Sequence, residues 1–248
     1  MSRPTPAAGV KVAVLVCALI GPSLVLVSGS QARDHGRAAS AAPAQLVHSA
    51  VRDAVARGSV HLVESVRLSA TVKGTISGDI AAHDGQQAFR LSGVGDMRVE
   101  VVGGIAYVTG SRQALVDVGG LSAALAAKAA AHWVSISPSN GAYATVAGGV
   151  TLSSALSEFM PQGALKELAP SSVDGQAVLG IRGAAGNGAG TKGETITVYV
   201  SRSSKPLPVR VVFGVSGGAV AVGTVDLSRW GGPVSIKAPS GALPIDSP

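Results

Sequence analysis

Aromatic residues are scarce in this chain of 248 residues: three Phe, three Tyr and two Trp, or 3% of the total. Binding of single-stranded nucleic acid needs stacking platforms, and duplex binding needs a basic stripe. The sequence offers neither, because no run of Lys or Arg stands out, so nucleic acid is set aside as a partner. Cysteine is nearly absent too. The single Cys17 excludes an internal disulfide and any cysteine-based metal site. Acids are few and dispersed, 14 in all, and no spacing nominates a catalytic carboxylate pair. The five histidines, His35, His48, His61, His83 and His132, show no HxH or HExxH spacing, so neither a metal nor a cofactor is expected.

What is present is aliphatic. Hydrophobic residues make up 46% and glycine contributes 33 positions, so the core is built from Val, Leu, Ile and Ala. Such small side chains fill a core less completely than aromatics would, which is compatible with a cavity but equally with a biased genome. The net charge is +6, of which Arg3 and Lys11 supply two in a segment without acids.

That segment has the anatomy of an export signal. Met1 to Lys11 is short and basic, and Val12 to Ile20 is apolar throughout. Gly21-Pro22-Ser23 interrupts the run before Leu24 to Val27, and Ser30-Gln31-Ala32 provides a small-x-small exit. The apolar stretch is shorter than the ~20 residues a spanning helix prefers. An uncleaved anchor is the alternative. Cys17 lies inside the apolar run and follows Val14-Leu15-Val16, which is not the small residue a lipidation motif places before its cysteine. The expected organisation is therefore a signal or anchor over 1–32, a linker over 33–43, one domain over 44–240 and a flexible tail over 241–248.

Within the domain a helix begins at Ala44, with Val47, Ala50, Val51, Ala54 and Val55 forming an apolar stripe that stops at Gly58. From Val60 to Val72 apolar and polar residues alternate as in a half-buried strand. Glu64 is the one exception on its apolar face. Strands over Gly74–Ala81, Gln86–Leu91, Met97–Val102 and Ile105–Thr109 follow at hairpin spacing. Asp84-Gly85 and Gly103-Gly104 supply turn residues. Leu121 to Ala131 is a helix by propensity, Trp133 to Ile136 a return strand, and Leu152, Ala155, Leu156, Phe159 and Met160 mark a further amphipathic helix. Pro161 ends that helix, and Leu165 and Leu168 suggest another turn of helix beyond it. Strands resume at Val173–Arg182 and continue through Thr195–Val200, Leu207–Phe213, Val220–Leu227 and on to Ile236. Helices inserted as a block into an antiparallel meander predict an α+β fold with the helices on one face of the sheet. No enzyme motif appears. Gly183 to Gly190 lacks the Gly-Lys-Ser/Thr of a phosphate loop, Ser137 and Ser139 flank Pro138 in a turn, and no Gly-x-Ser-x-Gly occurs. Tyr107, Trp133 and Trp230 are read as packing at core edges.

The order of elements, together with several short motifs, resembles the actinobacterial cell-envelope proteins of the LppX/LprG type in the LolA-like superfamily. The motifs are Ser59-Val-His61, Gly103-Gly-Ile-Ala-Tyr-Val108, His132-Trp-Val134, Val173-Asp-Gly175, Thr195 to Val200, Pro206-Leu-Pro-Val209 and Trp230-Gly-Gly-Pro-Val234 before Ala238-Pro239. The resemblance implies a curved antiparallel half-barrel with helices on its concave face and a hydrophobic cavity between them for acyl chains. It departs from the pattern in having no lipobox cysteine in register. The implied function is an exported, envelope-associated, monomeric carrier of lipophilic molecules, non-enzymatic and without a cofactor. The alternative is an envelope interaction or sensing module with a filled core and a protein partner. The ligand-facing candidates are Val101, Val198, Val200, Val211 and Phe213 on strands, and Leu125, Leu152, Leu156, Phe159 and Met160 on helices. The periodicity leaves open which strand face is concave. The segment from Leu152 to Leu168, read as two short helices, is the candidate mobile cover.

Overall fold

The computed structural model describes residues 38–67, 71–185, 194–215 and 222–245. The expected export segment, residues 33–37 of the expected linker, Leu68 and Ala70, most of the glycine-rich loop and Val220 lie outside the described residues. Helix α1 (Ala38–Arg57) leads into strands β1 (Ser59–Arg67), β2 (Lys73–Ala81), β3 (Gly85–Ser92), β4 (Gly95–Val102) and β5 (Ile105–Gly110). Next come α2 (Arg112–Asp117), α3 (Ala123–Ala131), β6 (Val134–Ile136), α4 (Tyr143–Ala147) and α5 (Leu152–Phe159). The remainder is β7 (Gln162–Glu167), β8 (Ser171–Val173), β9 (Gln176–Ala184), β10 (Glu194–Ser201), β11 (Pro208–Val215), β12 (Val222–Ser228) and β13 (Leu243–Ile245).

All the strands join one sheet in the order β13-β6-β5-β4-β3-β2-β1-β12-β11-β10-β9-β7, with β8 paired to β9. Every pairing is antiparallel except β13 with β6. The architecture is the α+β arrangement expected, an open curved sheet with its helices on one face. Alternation explains the layers. Along β4, Met97, Val99 and Val101 are buried while Asp96 and Arg98 are exposed, because successive side chains point to opposite faces. Gly103 and Gly104 both have positive φ, which the tight turn between β4 and β5 requires. Gly74 and Gly78 of β2 lie on the helix-covered face. A Cβ at either would sit 2.0 or 2.1 Å from a β3 carbonyl oxygen, so only glycine allows the two backbones to approach this closely.

The helices divide the core in two. One cluster lies between β3–β6 and α2–α4, and includes Phe89, Met97, Leu115, Val134 and Ile136. The other lies between α1, α5 and strands β1 and β9–β12, and includes Ala50, Leu62, Leu156, Ile181 and Val198. Phe213 packs against both.

Several local expectations are corrected. Helix α1 starts at Ala38, so the end of the expected linker is helical, and Pro43, which cannot donate to the Ala39 carbonyl, is accommodated inside it. Val55, placed on the apolar stripe, is 55% exposed because Val47, Ala50 and Ala54 already fill the contact with the sheet. Two short helices, α2 and α4, had no periodic signal; the Ser111 hydroxyl caps α2 by accepting from the Ala114 N–H at 3.3 Å. The segment after Pro161 is not a second helix but strand β7, which satisfies its backbone against β9. The run from Val173 to Arg182 is broken by a turn at Asp174 and Gly175, both with positive φ, into β8 and β9. Past Ser228 the chain leaves the sheet. Gly231 N–H bonds to the Ser59 carbonyl at 3.0 Å, and the Trp230 indole N–H bonds to the Pro208 carbonyl at 3.0 Å. The chain rejoins the sheet within the expected tail, where β13 covers the edge of β6.

Candidate functional site

Strand register sets the helix-covered face of the sheet. Directly paired residues form the row Phe89, Ile76, Glu64, Val225, Val211, Val198 and Ile181 across seven strands. Six of these are apolar and buried. The remaining one, Glu64, is third in the row, between Ile76 and Val225, with Leu62 and Val66 two residues away on the same face of β1. It is therefore surrounded by aliphatic side chains, yet its side chain is only partly buried.

A second acid approaches from the helix layer. Glu158 of α5 is 9% exposed. Its Oε2 stands 3.1 Å from where a Cβ on Gly149 would be, so the glycine leaves room for the carboxyl. Gln87 of β3, also buried, donates its side-chain N–H to the Gly149 carbonyl at 2.9 Å. These polar groups lie along the seam between the two apolar clusters. Burial pushes the Glu64 carboxyl from its ordinary value near 4.5 up to about 7. Burial first, and then the neighbouring Glu64, push Glu158 up to about 8. Near neutral pH Glu158 is therefore largely a protonated hydrogen-bond donor, and Glu64 is protonated about half the time.

Neither carboxyl has a hydrogen bond or ion pair, and no sealed side-chain N or O among the described residues lacks a partner. The oxygens of Glu64 and Glu158 therefore border open space. No spacing in the sequence nominates this pair: the two acids are far apart along the chain and come near enough across the layers for Glu64 to act on Glu158. Glu64 was visible as an exception in an alternating strand. Glu158 carried a weaker signal, three residues after Ala155 at the margin of the apolar stripe.

The ten candidate ligand residues all belong to the helix-side interior. Val101 is buried in the first cluster and Leu125 packs on it. Val198, Val200, Val211, Leu152, Leu156, Phe159 and Met160 belong to the second. Val211 shares the Glu64 row, and Phe213 touches both clusters. The helix residues are tightly covered, with Leu152 at 2% and Leu156 at 5% exposure. Trp230 packs at the edge of the second cluster.

Two open clefts lie elsewhere. One, of about 1100 Å³, is mostly on the opposite face of the sheet, and of the ten candidates only Phe213 borders it. The other, about 610 Å³, lies beside Trp230 and mixes Arg57 and Lys205 with Asp174 and Asp226. Among the described residues no group of three His, Cys, Asp or Glu side chains is placed to hold a metal ion.

No protein-family model matches the sequence, and no curated protein does. Solved structures do. LprF from Mycobacterium bovis superposes with a TM-score of 0.50 at 16% identity, over 81% of this chain and 98% of that one. The lipoprotein LppX of Mycobacterium tuberculosis does so with a TM-score of 0.50 at 14% identity, over 79% and 98%. The fold is thus of the LppX type.

Proposed function

We propose that this chain is an exported, envelope-associated carrier that holds an acyl-chain amphiphile between the sheet and the helices. The observation that carries the reading is the accessible, unpartnered Glu64 at the centre of the covered face. The acyl chain would lie along the seam between the two clusters, against Ile76, Val211 and Phe213. The protonated carboxyls of Glu64 and Glu158 would donate to an ester or hydroxyl oxygen of the ligand. Each buried CH₂ contributes roughly 0.8 kcal/mol, so one long chain offsets the cost of immobilisation without a charged site. The remaining candidates, Val101, Leu125, Leu152, Leu156, Phe159, Met160, Val198 and Val200, would form the walls behind that seam. A likeness to lipoproteins of the same fold supports the reading. It requires no catalysis and no cofactor.

Native mass spectrometry of the purified protein, followed by lipid extraction, tests it. The expected result is a mass excess in the range of a lipid that disappears on extraction. A second reading, an envelope interaction module with a filled core and a protein partner, is favoured by the tight burial of Leu152 and Leu156. A mass equal to that of the chain alone, unchanged by extraction, would select it.

Export is tested separately. Among the described residues no helix is long and apolar enough to cross a membrane. The mature protein is expected to begin at Arg33, after Ala32, when the extracellular material is sequenced from its N-terminus. A start at Met1 in a membrane fraction would mean an anchor.

A further inference from the structure

The larger cleft has a one-sided charge. Most of its lining comes from the helix-free face of β1–β3 and β9–β12 at one end of the sheet, with Val66, Gly74, Phe213 and Gly223 from the covered face, in a volume of about 1100 Å³. Arg67, Lys73, Arg90 and Arg182 line it, and no acid does. None of the four has a carboxylate partner among the described residues. Asp96 faces Arg90 across the β3–β4 ladder but makes no ion pair with it. The register makes the arrangement more unusual. Arg67 stands directly opposite Lys73, and Arg182 directly opposite Lys166. Like charges in direct cross-strand pairs are destabilising. Two such pairs flank a single groove, and Arg182 is held there by donating from Nε to the Thr197 hydroxyl at 3.1 Å.

Between the cations the groove presents apolar surface. Val212 is 38% exposed and Val222 is 47% exposed, both on this face, while Val211 and Val225 of the same two strands are buried in the core. Exposed aliphatics framed by Arg and Lys suit a phospholipid interface, where the cations meet phosphates and the aliphatics enter the headgroup layer. A soluble acidic protein would satisfy the charges and leave the valines without a role.

We infer that this groove docks the protein on the anionic face of a phospholipid membrane. Its four cations are on the opposite face of the sheet from the Glu64 row, and the inference stands whether or not the acyl-chain seam holds a ligand. The test uses the full chain and vesicles of phosphatidylcholine alone or mixed with phosphatidylglycerol. Residues 1–32 contribute equally in every variant, so the measured quantity is the ratio of binding to anionic over neutral vesicles. The fourfold variant Arg67→Gln, Lys73→Gln, Arg90→Gln, Arg182→Gln is expected to lower that ratio at least tenfold. A control with the same charge change on the helices, Arg52→Gln, Arg57→Gln, Arg112→Gln, Lys128→Gln, is expected to keep most of it. The wild-type ratio should also fall as salt is raised. Should the fourfold variant fold poorly, Arg67→Gln with Lys73→Gln decides, with an expected loss of several-fold and no drop in melting temperature. A wild type with no anionic preference overturns the inference. So does an equal loss in the control, or a groove variant that loses binding of glycerol phosphate while its vesicle ratio is unchanged.

Discussion

Raising the pH from 5 to 9 is expected to destabilise the protein by on the order of 5 kcal/mol through two side chains, Glu64 and Glu158. Below the ordinary carboxylate value near 4.5 both groups are protonated in the folded and the unfolded chain, and they cost nothing. Above it the unfolded chain gives up its protons. The folded chain keeps them until about pH 7 at Glu64 and about pH 8 at Glu158. Stability therefore declines across that window and levels off beyond it. A loss of this size is a large fraction of the 5–15 kcal/mol that holds a typical domain together, and corresponds to roughly 10–20 °C in melting temperature. Thermal unfolding at several pH values measures it. Glu158→Gln keeps the size of the side chain and removes the ionisation, and it also relieves Glu64 of its neighbour's charge. The variant should match the wild type at pH 5 and exceed it clearly at pH 9. Parallel pH curves for the two proteins would mean that Glu158 is not buried against the Glu64 row. Bound amphiphile should carry the decline to higher pH, because a ligand that accepts from the protonated carboxyls raises their pKa further.

Phe159→Ala is expected to cost about 3–5 kcal/mol, the range for truncating a packed phenylalanine. The side chain is 8% exposed and sits with Leu156 and Met160 against Ile181, Ile196 and Val198. Chemical denaturation reads the cost, and a fluorescent acyl probe reads binding per folded molecule. Strong destabilisation with probe binding retained places Phe159 behind the seam. A small shift in stability with binding lost would make it a wall of the ligand space and would move that space towards α5.

Much of the sheet was legible because its signals are local. Strands β2–β5 alternate cleanly, and their turns carry glycine where positive φ is needed, so their limits follow within a residue or two. Helices α2 and α4 were invisible because five or six residues hold too little periodicity, and their stability comes from packing under β4 and β5. The error at β7 has a specific cause: Leu165 and Leu168 stand at helical spacing after a proline, and only pairing with β9 decides otherwise. The resemblance to LppX-type proteins rested on the order of elements, and the superposition shares that basis, since at 14–16% identity little beyond order is retained. The candidate apolar residues were placed by alternation, which says which side chains are inside and not where they leave a gap. The carboxyl pair and the basic groove escaped for one reason. Each is assembled from residues on separate strands or layers, and only the register brings them together.

The place of β1 in the sheet also governs how the chain is made. Among the described strands β1 is made first, and it pairs with β2, which follows it at once, and with β12, nearly the last. Until β12 arrives, one side of β1 has no partner, and the nascent N-terminal half carries an open hydrogen-bonding edge with an apolar face beside it. Pairing across such a sequence distance is slow, and an unpaired edge of this kind recruits other strands. The half-made molecule is thus a sticky hairpin array. A chain bound for translocation would benefit from the delay, since it stays unfolded long enough to be threaded, and a chain truncated before Val222 should be recovered as aggregate or as a chaperone complex.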